Sequence, residues 1–165
     1  MKSLFVFLTA FAVSWLTASA EPMGVDCTAK MSLKAGDTRI AVDETATVKL
    51  VLGHDCSLYA WQAFIVPSDP GVLVIESATF EPGSPFDLQL VNAIHGDELD
   101  IAAGATTPVT VSGTLATVTV RGVAAGSSSL VFTLHQPGNV SSAVADETWQ
   151  YATCVTYPSA VITVK

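Results

Sequence analysis

YAWQAFIVPSDPGVLVIESATF, residues 59–80, sets two apolar runs on either side of a Pro67-Ser68-Asp69-Pro70 corner. β-Branched and aromatic residues dominate both runs, and each is short, so each reads as a strand with the corner between them. Tyr59 and Trp61 alternate with Ala60 and Gln62, which puts the two sets on opposite sides of a sheet. With Phe64 and Val66 turned into a core, the Tyr59/Trp61 side faces elsewhere. It is either a second packed layer or a surface that holds a partner.

The same pattern extends outward from this stretch. Strands are expected at Ala29–Ala35, Thr45–Leu52, Leu58–Val66, Val72–Ile75, Leu88–Val91, Glu98–Ala102, Thr114–Arg121, Ser129–His135 and Ala160–Val164, separated by Gly or Pro. No segment keeps a helical apolar period for three turns. Ser141–Gln150 (SSAVADETWQ) reads as one or two helical turns. Nine strands without crossover helices imply an all-β fold, a nine-stranded antiparallel jelly-roll β-sandwich.

The first twenty residues stand apart. Met1-Lys2-Ser3 is a positive start, Leu4–Leu16 is an apolar run short for a bilayer, and Ala18-Ser19-Ala20 is a small-residue cleavage site. This order is that of a secretory signal peptide, cleaved at about Ala20, and it implies a secreted, extracellular or periplasmic product with no membrane span. Residues 21–165 suit one domain. Lys2 is the only charged side chain in the signal, so the rest carries 6 Lys+Arg against 15 Asp+Glu, a formal charge of −9. Such a chain does not suit nucleic acid, whose phosphates demand a basic face.

Converging chemistry is missing. His54, His95 and His135 fit no metal spacing, and no nucleophile elbow or phosphate-binding glycine loop occurs. The expectation is no enzymatic activity, no cofactor and no metal site. Asp97-Glu98-Leu99-Asp100 is the densest acid cluster; it lacks the Asp/Asn/Gly alternation of a calcium loop and reads as a solvated strand end. Asn139-Val140-Ser141 is a glycosylation acceptor sequence if the source glycosylates exported proteins.

Three ordered pieces resemble a known family. Ala35-Gly36-Asp37 with the Thr45–Leu52 strand resembles its opening Gly-Asp and second strand. Leu58-Tyr59-Ala60-Trp61-Gln62 followed by Asp69-Pro70-Gly71-Val72-Leu73 resembles its aromatic-Gln and Asp-Pro-x-x-Leu segment. Gly113–Val120 followed by Gly126-Ser127-Ser128 resembles its Gly-x-Leu-Ala hairpin, with Phe86 and Asp100-Ile101 between as expected. The set is similar to the extracellular cohesin modules of cellulosomes, relatives in fold of a carbohydrate-binding group. The resemblance implies a nine-stranded jelly roll without catalysis. It further implies that one flat face, built from the third, fifth, sixth and eighth strands, binds a dockerin, and that the dockerin carries the Ca²⁺.

Two alignments of the third strand are open. Without a gap, the family's polar contact positions fall on Trp61 and Ala63, where its Asn and Asp are missing, and its corner Tyr is Ser68. With one residue inserted near Ala63, Trp61 turns to the core. A one-residue slip reverses every side chain. Alternation elsewhere turns Leu99, Ile101, Leu130, Phe132, Leu134, Leu88 and Leu90 inward and Glu98, Asp100, Val131, Thr133, His135, Gln89 and Val91 outward. The expected partner-binding set is Tyr59, Trp61, Ala63, Gln89, Glu98, Asp100, Thr133 and His135, an apolar anchor within a polar rim. The partner expected is a protein, dockerin-like. A polysaccharide stacked on Trp61, Trp149 and Tyr151 is the alternative, and a structural surface or matrix protein is a third reading. In the resembling arrangement Cys27, Cys56 and Cys154 gather at one end. One disulfide is expected; all three pairings are open and Cys27–Cys56 is favoured because it staples the first strand.

Overall fold

The structure is a computed structural model that describes residues 28–133, 143–145, 155–156 and 158–165. The expected signal segment, Asn139, and residues Cys27, His135, Trp149, Tyr151 and Cys154 lie outside them. Among the described residues there is no helix. Twelve strands run in the order β1 (Ala29–Ala35), β2 (Arg39–Ile40), β3 (Thr45–His54), β4 (Leu58–Pro67), β5 (Leu73–Phe80), β6 (Leu88–His95), β7 (Glu98–Val109), β8 (Gly113–Gly122), β9 (Gly126–Phe132), β10 (Ala143–Ala145), β11 (Val155–Thr156) and β12 (Ala160–Val164). β2, β10 and β11 are two- or three-residue pieces; the other nine correspond to the nine expected.

The strands form two sheets. Sheet A has the order β11-β1-β3-β8-β5; sheet B has β2-β12-β9-β4-β7-β6, with β10 added to β4. The short pairs β1–β11 and β2–β12 are parallel and the long ladders antiparallel. Alternation builds the core between the sheets. Ala46, Val48, Leu50 and Leu52 of β3 point inward while Thr45, Thr47 and Lys49 point out. From the other side Leu99, Ile101, Leu130 and Ile162 meet them in one contiguous cluster. Burying each Leu or Ile stabilises the fold by about 1.5–3 kcal/mol.

The quoted corner carries the chain from sheet B to sheet A. Pro67 ends β4, and its successor Ser68 is pinned to β9: Ser68 N–H donates to the Ser129 carbonyl at 2.8 Å, and Ser129 N–H donates to Ser68 Oγ at 2.9 Å. Asp69 N–H donates to the buried Ser128 hydroxyl at 3.0 Å. The Asp69 carboxylate accepts from Gly71 N–H at 2.9 Å, a side-chain mimic of a backbone turn. The β6–β7 hairpin closes over Gly96-Asp97, with Gly96 at φ +65°, as a twist-matched two-residue turn requires.

Three expectations are corrected, two about which way residues point and one about a helix. In β4 it is Trp61, Ala63 and Ile65 that join the core cluster; Gln62, Phe64 and Val66 lie on the opposite side of the sheet. The cause is an irregularity at the start of the strand. Leu58 pairs with Val109 but Ala60 pairs with Gly104, so Leu58 and Trp61 both reach the core although three residues apart. In β6, Leu88 and Leu90 were expected inside but are 43 % and 58 % exposed. Leu88 sits opposite Gly104 on the outer side, and a bulge at Gln89/Val91 leaves Leu90 outside the ladder. Finally, the described part of Ser141–Gln150 is not helical: Ala143–Ala145 is strand β10, paired with Ala60–Gln62. β9 covers only Ile65–Pro67 of that edge, and β10 meets the backbone groups that β9 does not reach.

Candidate functional site

β9, β4, β7 and β6 are consecutive neighbours in sheet B. They are the eighth, third, sixth and fifth of the nine long strands, and together they make one broad outer face. Its side chains follow from the period of two. β7 contributes Glu98, Asp100, Ala102 and Gly104, the residues that alternate with the core residues Leu99, Ile101, Ala103 and Ala105. β4 contributes Gln62, Phe64 and Val66. Phe64 is only 8 % exposed and is outside the core cluster.

Two side-chain bonds order the polar part of this face. Gln62 Nε2 donates to Asp100 Oδ1 at 2.9 Å, and Thr133 Oγ1 donates to Glu98 Oε2 at 3.1 Å. Both cross between strands and fix the carboxylates on neighbouring positions of β7. A carboxylate has about four acceptor sites, so one bond to Gln62 does not saturate Asp100. Beside this pair lies a shallow depression of about 190 Å³. Its lining is Ala60, Trp61, Gln62 and Ala102, with Ala143–Ala145 of β10 and Leu90 completing it. The floor exists because small residues occupy the outward positions here. Leu90 Cδ1 packs over Gly104, where an added Cβ would meet it at 3.6 Å, an ordinary van der Waals contact.

The expected site residues divide. Glu98, Asp100 and Thr133 share the outer face and are hydrogen-bonded on it. Trp61 and Ala63 are 2 % and 0 % exposed and are core residues, although Trp61 also borders the depression. The Trp61 ring packs against Phe80 of sheet A, centroids 6.1 Å apart and tilted by 58°. Tyr59 is half-buried at the β4 irregularity. Gln89 is exposed but sits opposite the core residue Ala103, on the other side of the sheet from Asp100. His135 lies outside the described residues. Sequence reasoning missed Gln62, Leu90 and the alanine floor. For Gln62 the signal was present, because the one-residue insertion that turns Trp61 inward turns Gln62 outward.

Other chemistry-bearing residues are structurally employed. His54 holds the Cys56 carbonyl at 2.7 Å and the Val111 carbonyl at 3.1 Å through its two ring nitrogens. Ser112 Oγ meets the His54 backbone, accepting from its N–H at 3.0 Å, and so makes no hydroxyl–imidazole pair. Among the described residues no group of three His, Cys, Asp or Glu is placed to hold a metal ion. Among the described residues no helix is long and apolar enough to cross a membrane.

No family model and no curated protein matches the chain. Solved structures do. A non-cellulosomal cohesin from the archaeon Archaeoglobus fulgidus is 14 % identical, aligned over 84 % of this chain and 91 % of that one, with a TM-score of 0.64. A type II cohesin domain from the cellulosome of Acetivibrio cellulolyticus is 18 % identical over 82 % and 95 %, with a TM-score of 0.65. A type I cohesin from Clostridium thermocellum, solved as a cohesin–dockerin complex, is 12 % identical over 84 % and 99 %, with a TM-score of 0.63. The fold of the chain is therefore cohesin-like, a jelly-roll sandwich.

Proposed function

We propose that the processed chain is an exported, non-catalytic module that docks a dockerin-like protein through the outer face of sheet B. The observation that carries this reading is the face itself: four adjacent strands whose outward side offers an alanine-floored depression beside two ordered carboxylates. An apolar recess inside a polar rim is the anatomy of a protein interface. Solved structures of like fold were determined with dockerins bound, among them the type I complex from Clostridium thermocellum and a type II cohesin–X-dockerin complex from Acetivibrio cellulolyticus. The aromatic row that a sugar-stacking surface needs loses Trp61, which is in the core. Export carries a disulfide with it: Cys56, half-buried against the core, is one bonded cysteine, with Cys27 or Cys154 as its partner.

The test is direct. The processed protein is immobilised and titrated with Ca²⁺-loaded type I and type II dockerin modules, beside a pull-down on insoluble cellulose and a glycan array. Saturable dockerin binding that chelator abolishes supports the reading. Retention on polysaccharide without binding of any dockerin rejects it in favour of a carbohydrate-binding module.

A further inference from the structure

The outer side of sheet A carries a different chemistry from that of sheet B. The period of two that sends Leu33, Val48, Leu50, Val118 and Val120 into the core leaves Lys34 of β1, Thr47 and Lys49 of β3, and Thr117 and Thr119 of β8 on the other side. Register then sets them in rows. Lys34 is directly opposite Lys49, Lys49 opposite Thr117, and Thr117 opposite Thr79 of β5. In the next row Thr47 is opposite Thr119, and Thr119 opposite Ser77. Strands lie about 4.8 Å apart, so the first row is about 14 Å long. Two ammonium groups stand at one end of it, and hydroxyls fill the rest.

The lysine pair costs stability, because like charges directly opposite each other repel. Their own sheet offers no relief. β1, β3 and β8 contain no Asp or Glu, and Glu76, the one acid of β5, is bonded to Arg121 at 2.6 Å. Among the described residues neither Lys34 nor Lys49 forms an ion pair, with Asp37 beyond the end of β1 or with any other acid. An anion placed between the two ammonium groups turns one repulsion into two attractions. The neighbouring hydroxyls each donate and accept, which suits a ligand that is itself rich in hydroxyls. A protein partner finds less to hold. Phe80 is the one Phe, Tyr or Trp on these four strands, and it packs against Trp61, so the outer side has no aromatic anchor.

We infer that the outer side of sheet A binds an acidic polysaccharide: a carboxylate or sulfate of the polymer sits between Lys34 and Lys49, and sugar hydroxyls meet Thr47, Thr117 and Thr119. This surface is on the opposite side of the sandwich from the docking face, and the inference stands independently of docking.

The experiment titrates the full processed chain with polygalacturonate and with dextran sulfate, followed by isothermal calorimetry and affinity electrophoresis. Neutral dextran and polyglutamate, an acidic peptide polymer, are the controls. The acidic polysaccharides are expected to bind, more weakly as salt rises, and the controls are not. Lys34→Gln and Lys49→Gln are each expected to weaken binding by about two- to fivefold, and the double variant to abolish it. Each single variant is also expected to melt at or above the temperature of the parent, because the like-charge contact is gone. A variant at least as stable that binds less separates a binding role from a structural one. Circular dichroism verifies the fold of the double variant. Unchanged binding in the double variant, equal binding of polyglutamate or neutral dextran, or no binding of either acidic polysaccharide overturns the inference and leaves docking at sheet B untouched.

Discussion

At the scale of single residues, Trp61 decides how the molecule is read. Its indole Nε1 is buried without a hydrogen-bond partner, an arrangement that costs about 1–3 kcal/mol. Trp61→Phe keeps an aromatic group against Phe80 and removes the orphaned N–H, so the loss of packing is partly offset. Its stability is expected to fall by less than about 1.5 kcal/mol, whereas Trp61→Ala is expected to lose about 3–5 kcal/mol; urea unfolding at 25 °C measures both. An Ala variant as stable as the parent would put the ring outside the core. The orientation of Trp61 was not legible from alternation, because Tyr59-Ala60-Trp61 spans an irregularity in the β4–β7 register. Period-two reasoning assumes an unbroken ladder, and both phases of "AWQAFIVP" carry an aromatic and a β-branched residue. Where the ladder is regular, as at Glu98–Ile101, alternation placed every side chain on the side where it lies.

At the scale of elements, the nine long strands were legible because Gly and Pro stop each of them and β-branched residues fill them. β10 was not. Three residues carry no period, and its partner edge on β4 is defined only by where β9 ends. The corner after β4 gives a test of how elements are joined. Ser128 Oγ accepts from Asp69 N–H, so Ser128→Ala leaves a part-buried donor unmatched and is expected to cost about 1–3 kcal/mol, read as a lower urea midpoint at unchanged slope. A second test lies on the outer side of sheet A. Lys34 and Lys49 are directly opposite across β1 and β3, a like-charge pair. Lys49→Glu is expected to raise stability by about 0.2–1 kcal/mol and to do so less at high salt. A gain that salt leaves intact would have a cause other than charge.

At the scale of the whole molecule, the apolar core between the two packed sheets is the main source of stability. Sequence gave the class of the fold through the count and spacing of its strands, but the docking face depended on register, and register depends on bulges that composition does not reveal. The ladder of β1 on β3 ends with Ala29 opposite His54, and Cys56 follows within two residues. β11 joins the same end of β1, with Val155 opposite Ala29. Cys27 and Cys154 are thus both close in sequence to this end, and peptide mapping without reductant is expected to find Cys56 linked to one of them. Breaking such a link costs about 2–5 kcal/mol, or roughly 5–15 °C of Tm in a domain of this size. Chelator, by contrast, is expected to leave Tm unchanged, since a ligand stabilises only what it binds. Differential scanning calorimetry with reductant and with chelator separates the two. A fall in Tm with chelator alone would mean that a bound cation, and not the sandwich core with its disulfide, holds the fold together.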